Sequence, residues 1–68
     1  MDVRRRVGRN LRKYRREKGL SQEDLAFECE IHRTYVSGLE RGIRNPTIVI
    51  LEKIAVALGI PSAMLLEE

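Results

Sequence analysis

Residues 33 to 41, RTYVSGLER, gather the side chains best suited to recognition in this 68-residue chain. Read as a helix, Thr34, Ser37, Gly38 and Arg41 fall at i, i+3, i+4 and i+7 on one face, while Val36, Leu39 and the stem of Glu40 fall on the other. The first face is polar, small and basic. A helix held from behind by a core, with short hydrogen-bonding groups and arginine in front, is shaped to lie in the major groove of a DNA duplex. Arg33, Thr34, Tyr35 and Ser37 are the candidates for reading base edges. Arg33 suits a two-pronged contact to guanine, worth roughly 1–3 kcal/mol of discrimination, and Thr34 and Tyr35 suit apolar contact with a thymine methyl or a hydrogen bond to phosphate.

Other chemistries lack their parts. There is no Ser/His/Asp set, no pair of carboxylates on a common face and no glycine-rich phosphate loop, so no catalytic residue is assigned and the chain is not expected to be an enzyme. With one histidine, His32, and one cysteine, Cys29, a structural metal has no ligand cluster, and no cofactor or small-molecule ligand is expected. Cys29 lies on an apolar stripe and reads as an inert core thiol. No apolar run approaches the roughly 18 residues of a membrane span, and the N-terminus has no hydrophobic signal core. The expectation is therefore a cytoplasmic, nucleoid-associated protein with no membrane partner. Charge adds direction: residues 1–20 hold nine Lys/Arg against two acids, and residues 21–68 hold four against eight. A basic segment on an acidic remainder suits a polyanion met on one side.

The elements that position these groups follow from caps and periodicity. All 68 residues make one domain. A first helix from about Asp2 to Lys18 carries Val3, Val7, Leu11 and Tyr14 as a stripe, with Gly19 as its stop. Arg15 lies beside that stripe, so its guanidinium needs a partner near the core; Glu40, on the inward side of the reading helix, is the candidate, against an exposed Glu40 pairing locally with Arg41. Ser21 and Asp24 form a capping box for a second helix, about Gln22 to Cys29, with Leu25, Ala26 and Cys29 inward. Phe27 points the other way, either covering helix one or forming a contact patch. Glu30 to His32 make the turn, Ile43 to Pro46 a loop, and Thr47 caps a fourth helix, about Ile48 to Leu58, which Gly59 ends.

Leu20-Ser21-Gln22 with Leu25-Ala26, then Val36-Ser37 and Leu39-Glu40-Arg41-Gly42, then Asn45-Pro46, then Ile54-Ala55 and Ala57-Leu58-Gly59 occur in an order and spacing that resembles the helix-turn-helix domain of phage repressors and Cro-like, or Xre-type, regulators. The string Arg33 to Arg41 also looks like the controller proteins of restriction-modification systems. The resemblance covers about Leu11 to Leu65. It implies an all-α, compact, five-helix lambda-repressor-like domain, with the helix-turn-helix at about 21–41 and core and dimerisation helices at 47–66. It also implies a buried pair at Arg15 and Glu40, a phosphate contact from Gln22 at its helix N-terminus, and loop contacts from Arg44 and Asn45 to the sugar-phosphate backbone or minor groove. His32 and Arg41 complete the phosphate-facing set. Arg44 is expected to strengthen binding to all sequences alike.

Three positions depart from that pattern. Glu30 stands where a glycine often permits a left-handed backbone, at a cost of about 1 kcal/mol, and His32 stands where serine often caps the next helix. Gly38 replaces the longer, base-reading side chain usual there, which suggests fewer direct contacts and some reading through DNA bending.

The fourth helix is apolar almost all round. Ile48, Leu51, Ile54, Ala55 and Leu58 make the expected core stripe; Ile50 and Ala57 extend it sideways, and Val49 and Val56 lie nearly opposite. Met64 and Leu65 in the last segment, Pro61 to Leu66, cover part of it. A second copy of the chain is the simplest completion, so Val49, Ile50, Val56, Ala57, Met64 and Leu65 are expected at a two-fold interface. The reading is a homodimeric regulator binding double-stranded DNA at an inverted repeat. The alternative is a protein-interaction module, such as an antitoxin-like partner binder, on the same fold.

Overall fold

In the computed structural model, which describes residues 2–68, helices α1 (Val3–Glu17), α2 (Gln22–Cys29), α3 (Arg33–Glu40) and α4 (Ile48–Leu58) precede a 3₁₀ segment, Ser62–Leu66. Each start is fixed locally. The Asp2 carboxylate accepts from the Arg4 backbone N–H at 2.7 Å, the Ser21 hydroxyl accepts from Asp24 N–H at 2.9 Å while Asp24 accepts back from Ser21 N–H at 3.1 Å, and Thr47 accepts from Ile50 N–H at 3.1 Å. These bonds satisfy amides that have no partner inside a helix.

The turn between α2 and α3 takes the shape that glycine usually provides, without glycine. Glu30 sits at φ 56, ψ 41, the sole non-glycine residue with positive φ among the described residues. His32 replaces the usual hydroxyl cap: its Nδ1 accepts from Thr34 N–H at 3.2 Å.

The core is Leu11, Leu25, Ala26, Cys29, Val36, Leu39, Ile54, Ala55, Leu58 and Leu65. Helix α1 packs across α3, α2 packs on α3 and α4, and the 3₁₀ segment closes the gap between α1 and α4. Gly8 allows the closest approach. A Cβ there would lie 2.7 Å from the Glu40 carbonyl oxygen and closer still to that of Leu39, so α1 rests directly on the C-terminal turn of α3.

The structure refines one expectation and corrects two. The fifth helix is a short 3₁₀ segment, Ser62–Leu66. Its backbone is held from α1, where the Asn10 side-chain amide donates to the carbonyls of Leu65 at 3.0 Å and Glu67 at 2.7 Å, and Arg9 donates to those of Glu67 and Glu68. Leu65 is fully buried within the protomer, so it is a core residue and not an interface residue. Ile48, assigned to the core stripe, is 86% exposed, and the buried residues of α4 are Ile54, Ala55 and Leu58, toward its C-terminal end.

Candidate nucleic-acid interface

Helix α3 separates its two faces as its residue spacing dictates. Val36 and Leu39 are sealed in the core and Glu40 is buried beside them, while Arg33, Thr34 and Arg41 are exposed and Tyr35 and Ser37 are half-buried. The exposed set and Ser37 carry hydrogen-bonding tips on one side of an eight-residue helix. That is a length of about 12 Å, enough to present two turns to a groove.

Behind this face Glu40 joins three helices. Arg15 of α1 donates to it from Nε at 2.5 Å and from Nη2 at 3.1 Å, Arg12 donates from Nε at 3.3 Å, and Gln22 of α2 donates from Nε2 at 3.1 Å. A third proton of Arg15, on Nη1, goes to the Leu20 carbonyl at 2.8 Å, tying down the turn before α2. Burial pushes the Glu40 carboxyl up, but the hydrogen bonds from Arg15 and Gln22, the charge of Arg15 and the bond from Arg12 together outweigh it, and the group is held below its ordinary value. The Glu40 hydrogen bond raises Arg15 in turn, against the opposing effect of burial. A charge surrounded by three donors is fully compensated, and α3 cannot rotate or slide without losing them.

Gln22 is therefore occupied on one side. Its amide keeps a second proton and its oxygen, at the N-terminus of α2, where the first backbone amides also point outward. Arg41 lies along α3 with Nε donating to the Ser37 carbonyl at 3.4 Å, and both Arg44 and Asn45 are exposed in the following loop. The His32 ring, next to the start of α3, is exposed and engaged with Thr34.

Gly38 is not an open place on the outward face. It is buried, and the covering group is Arg44, whose stem runs over it and whose guanidinium carbon lies 5.4 Å from the centroid of the Tyr35 ring. The space left by the missing side chain is thus filled from the loop. Tyr35 is also held from behind, its hydroxyl donating to the Asn45 carbonyl at 3.4 Å.

Arg12 and Asn10 carry structural roles that were not assigned from residue types alone. Both had a signal: Arg12 is three residues before Arg15 on the same side of α1, and Asn10 interrupts the Val7, Leu11, Tyr14 stripe at a buried position. On the far side of the domain, Val49 and Val56 are 66% and 69% exposed beside Ile48, whereas Ile50, Ala57 and Met64 are half-buried. Phe27 is 84% exposed, which leaves it away from helix α1 and the core. No helix among the described residues is long and apolar enough to cross a membrane.

Residues 11–65 match the helix-turn-helix family. The control protein C.BamHI of Bacillus amyloliquefaciens is 46% identical over 67 residues, spanning 97% of this chain and 83% of that protein. Among solved structures, the restriction-modification controller protein C.AhdI from Aeromonas hydrophila superposes with a TM-score of 0.88 at 47% identity, covering 91% of this chain and 94% of that one. The biofilm master regulator SinR, solved in complex with DNA, superposes with a TM-score of 0.85 at 35% identity over 90% of this chain and 98% of that one.

Proposed function

The chain belongs to the helix-turn-helix family of DNA-binding transcriptional regulators, and from that membership we propose that it is a sequence-specific regulator of the controller type, binding an inverted-repeat operator as a homodimer. The observation that carries the reading is the division of α3: the Glu40 carboxylate on its inner side is held by Arg15, Arg12 and Gln22 of α1 and α2, while Arg33, Thr34 and Arg41 stand exposed on its outer side with no more than local bonds to His32 and the Ser37 carbonyl. In this mechanism α3 enters the major groove. Arg33 reads guanine, Thr34 and Ser37 read adjoining base edges, and Tyr35 borders them. Gln22, His32, Arg41, Arg44 and Asn45 contact phosphates and set the register, and the basic face of α1 supplies attraction that falls with salt.

Two copies bring two such helices to one side of the duplex. We assign the contact to Val49 and Val56, with Ile48 beside them and Ile50, Ala57 and Met64 at its edge; Leu65 belongs to the protomer core. The half-sites are then about 34 Å apart, one turn of the duplex. With C.BamHI and C.AhdI as close relatives, the operator is expected upstream of the protein's own gene, within a restriction-modification locus. Control by protein concentration follows, through dimerisation and shared occupancy of the operator.

The test is selection of binding sites from random duplexes, followed by gel shift at two salt concentrations. Arg33→Ala is expected to lose preference at one base position per half-site, roughly 1–3 kcal/mol, and Arg41→Ala to weaken all duplexes by a similar factor with a smaller salt slope. Recovery of an unchanged site by the Arg33 variant would reject the assignment of that residue. Equal affinity of the wild type for selected and random duplexes would reject the regulator reading altogether.

A further inference from the structure

Gly38 is surrounded by groups that belong to the proposed reading face, yet it contributes no atom to it. A Cβ on Gly38 would stand 2.6 Å from Arg44 Cγ, 3.3 Å from its Nε and 3.4 Å from its Cδ. The first of these is closer than real Cβ contacts come, and it involves the inner part of the arginine stem, so any other residue here would push Arg44 off the helix. The far end of the same side chain lies over Tyr35, 5.4 Å from the ring centroid, in the arrangement favoured between a cation and an aromatic face. Two more bonds join loop and helix: Ile43 N–H donates to the Gly38 carbonyl at 3.0 Å, and the Tyr35 hydroxyl donates to that of Asn45 at 3.4 Å.

We infer that Gly38 is a positioning residue for DNA recognition: by carrying no side chain it seats Arg44 along α3 and over Tyr35, so that a loop arginine meets the duplex at a fixed distance from the base-reading tips. This rests on the reading of α3 as the major-groove helix and deepens it. An arginine swinging on a free loop finds a phosphate on any duplex and strengthens all binding alike. An arginine joined rigidly to the reading helix makes its full contact only when that helix sits at the right depth and register. It also gives up less side-chain freedom on binding, because the seat has already removed it. Arg44 therefore adds more to the correct site than to a random one, and Gly38 is the reason.

The experiment is a double-variant cycle of Gly38→Ala and Arg44→Ala, each titrated on the selected and on a random duplex. Alanine is favoured over glycine inside a helix, so Gly38→Ala is expected to keep or raise the melting temperature. Binding to the selected duplex is expected to fall at least tenfold, with the random duplex changing less than threefold. In the Arg44→Ala background the Gly38→Ala change is expected to add less than twofold. Additive losses, or selected-site affinity within twofold of wild type for Gly38→Ala, would overturn the inference.

The seat is read independently of DNA by proton NMR of the free protein. The Arg44 side-chain protons should carry a ring-current shift that disappears in both Gly38→Ala and Tyr35→Ala. Absence of that shift in the wild type sinks the seat and leaves the regulator reading standing. A wild type that shows the shift but no preference among duplexes sinks both proposals about DNA and leaves only a packing contact.

Discussion

At the residue scale the decisive group is Glu40, an anion enclosed by Arg15, Arg12 and Gln22. Removing it by Glu40→Ala strands Arg15 at about a tenth of its side-chain exposure. Chemical denaturation is expected to show a loss of roughly 3 kcal/mol, within the range for breaking a buried pair from one side. An Arg15→Met and Glu40→Leu double variant should recover most of it, since two well-packed apolar groups need no partners. The pH dependence has a definite sign. The folded carboxyl is held below its ordinary value, so between the two values the unfolded chain binds more protons. Its contribution is complete above the ordinary value of 4.5 and is lost as pH falls through the lower folded one. Denaturant midpoints measured from pH 6 downward should drop more steeply for the wild type than for Glu40→Gln, which has no proton to take up. The pairing of Arg15 with Glu40 was legible because an arginine beside an apolar stripe and a glutamate on an inward face each need the other. The spacing of Arg12 from Arg15 placed it on the same side of α1 but did not say that it reaches Glu40, and the same holds for Gln22, because both lie where solvent is an equal alternative and only the tertiary approach of α1, α2 and α3 decides between them.

At the element scale, the helices were legible since caps act over three or four residues: Ser21 and Thr47 each bond the amide that their spacing indicates, and Asp2, read only as the approximate start of α1, caps it in the same way. The left-handed turn residue was legible in place, though not in type. Glu30→Gly is expected to raise the melting temperature, because relief of roughly 1 kcal/mol of backbone strain at φ 56 exceeds the added flexibility of the unfolded chain. Gly8→Ala should do the reverse. Its methyl would meet two carbonyls of α3, and a loss of about 1–3 kcal/mol is expected in urea unfolding, although alanine is the better helix former. The fifth helix was legible as a segment, though not as 3₁₀. Its end is tied to α1 by Asn10 and Arg9, 55 to 59 residues away, which donate to the carbonyls of Leu65, Glu67 and Glu68. No local pattern carries that information.

At the scale of the whole molecule, apolar surface is left on one side and basic surface on another. Ile48, Val49 and Val56 lie exposed along α4, and the arginines of α1 extend around a helix whose stripe is spent on the core. With the dimer proposed above, melting temperature should rise with protein concentration, and sedimentation equilibrium should show a two-copy species that Val56→Glu dissociates. The variant protomer should keep its helical circular dichroism, since Val56 makes no part of the buried cluster. Which valines face outward was legible from periodicity. The exchange of roles between Ile48 and Leu65 was not, because the core side of α4 is completed by a residue that the fold returns from the far end of the chain.

The one-sided anchoring of α3 has an evolutionary consequence. Arg33, Thr34 and Ser37 bear none of the weight that holds the helix in place, so they are free to be exchanged at small cost to folding. Lineages built on this scaffold can switch targets by altering a few letters on the outer surface while the interior stays constant. Divergence of specificity and retention of architecture are then separable, and the former is expected to run much faster.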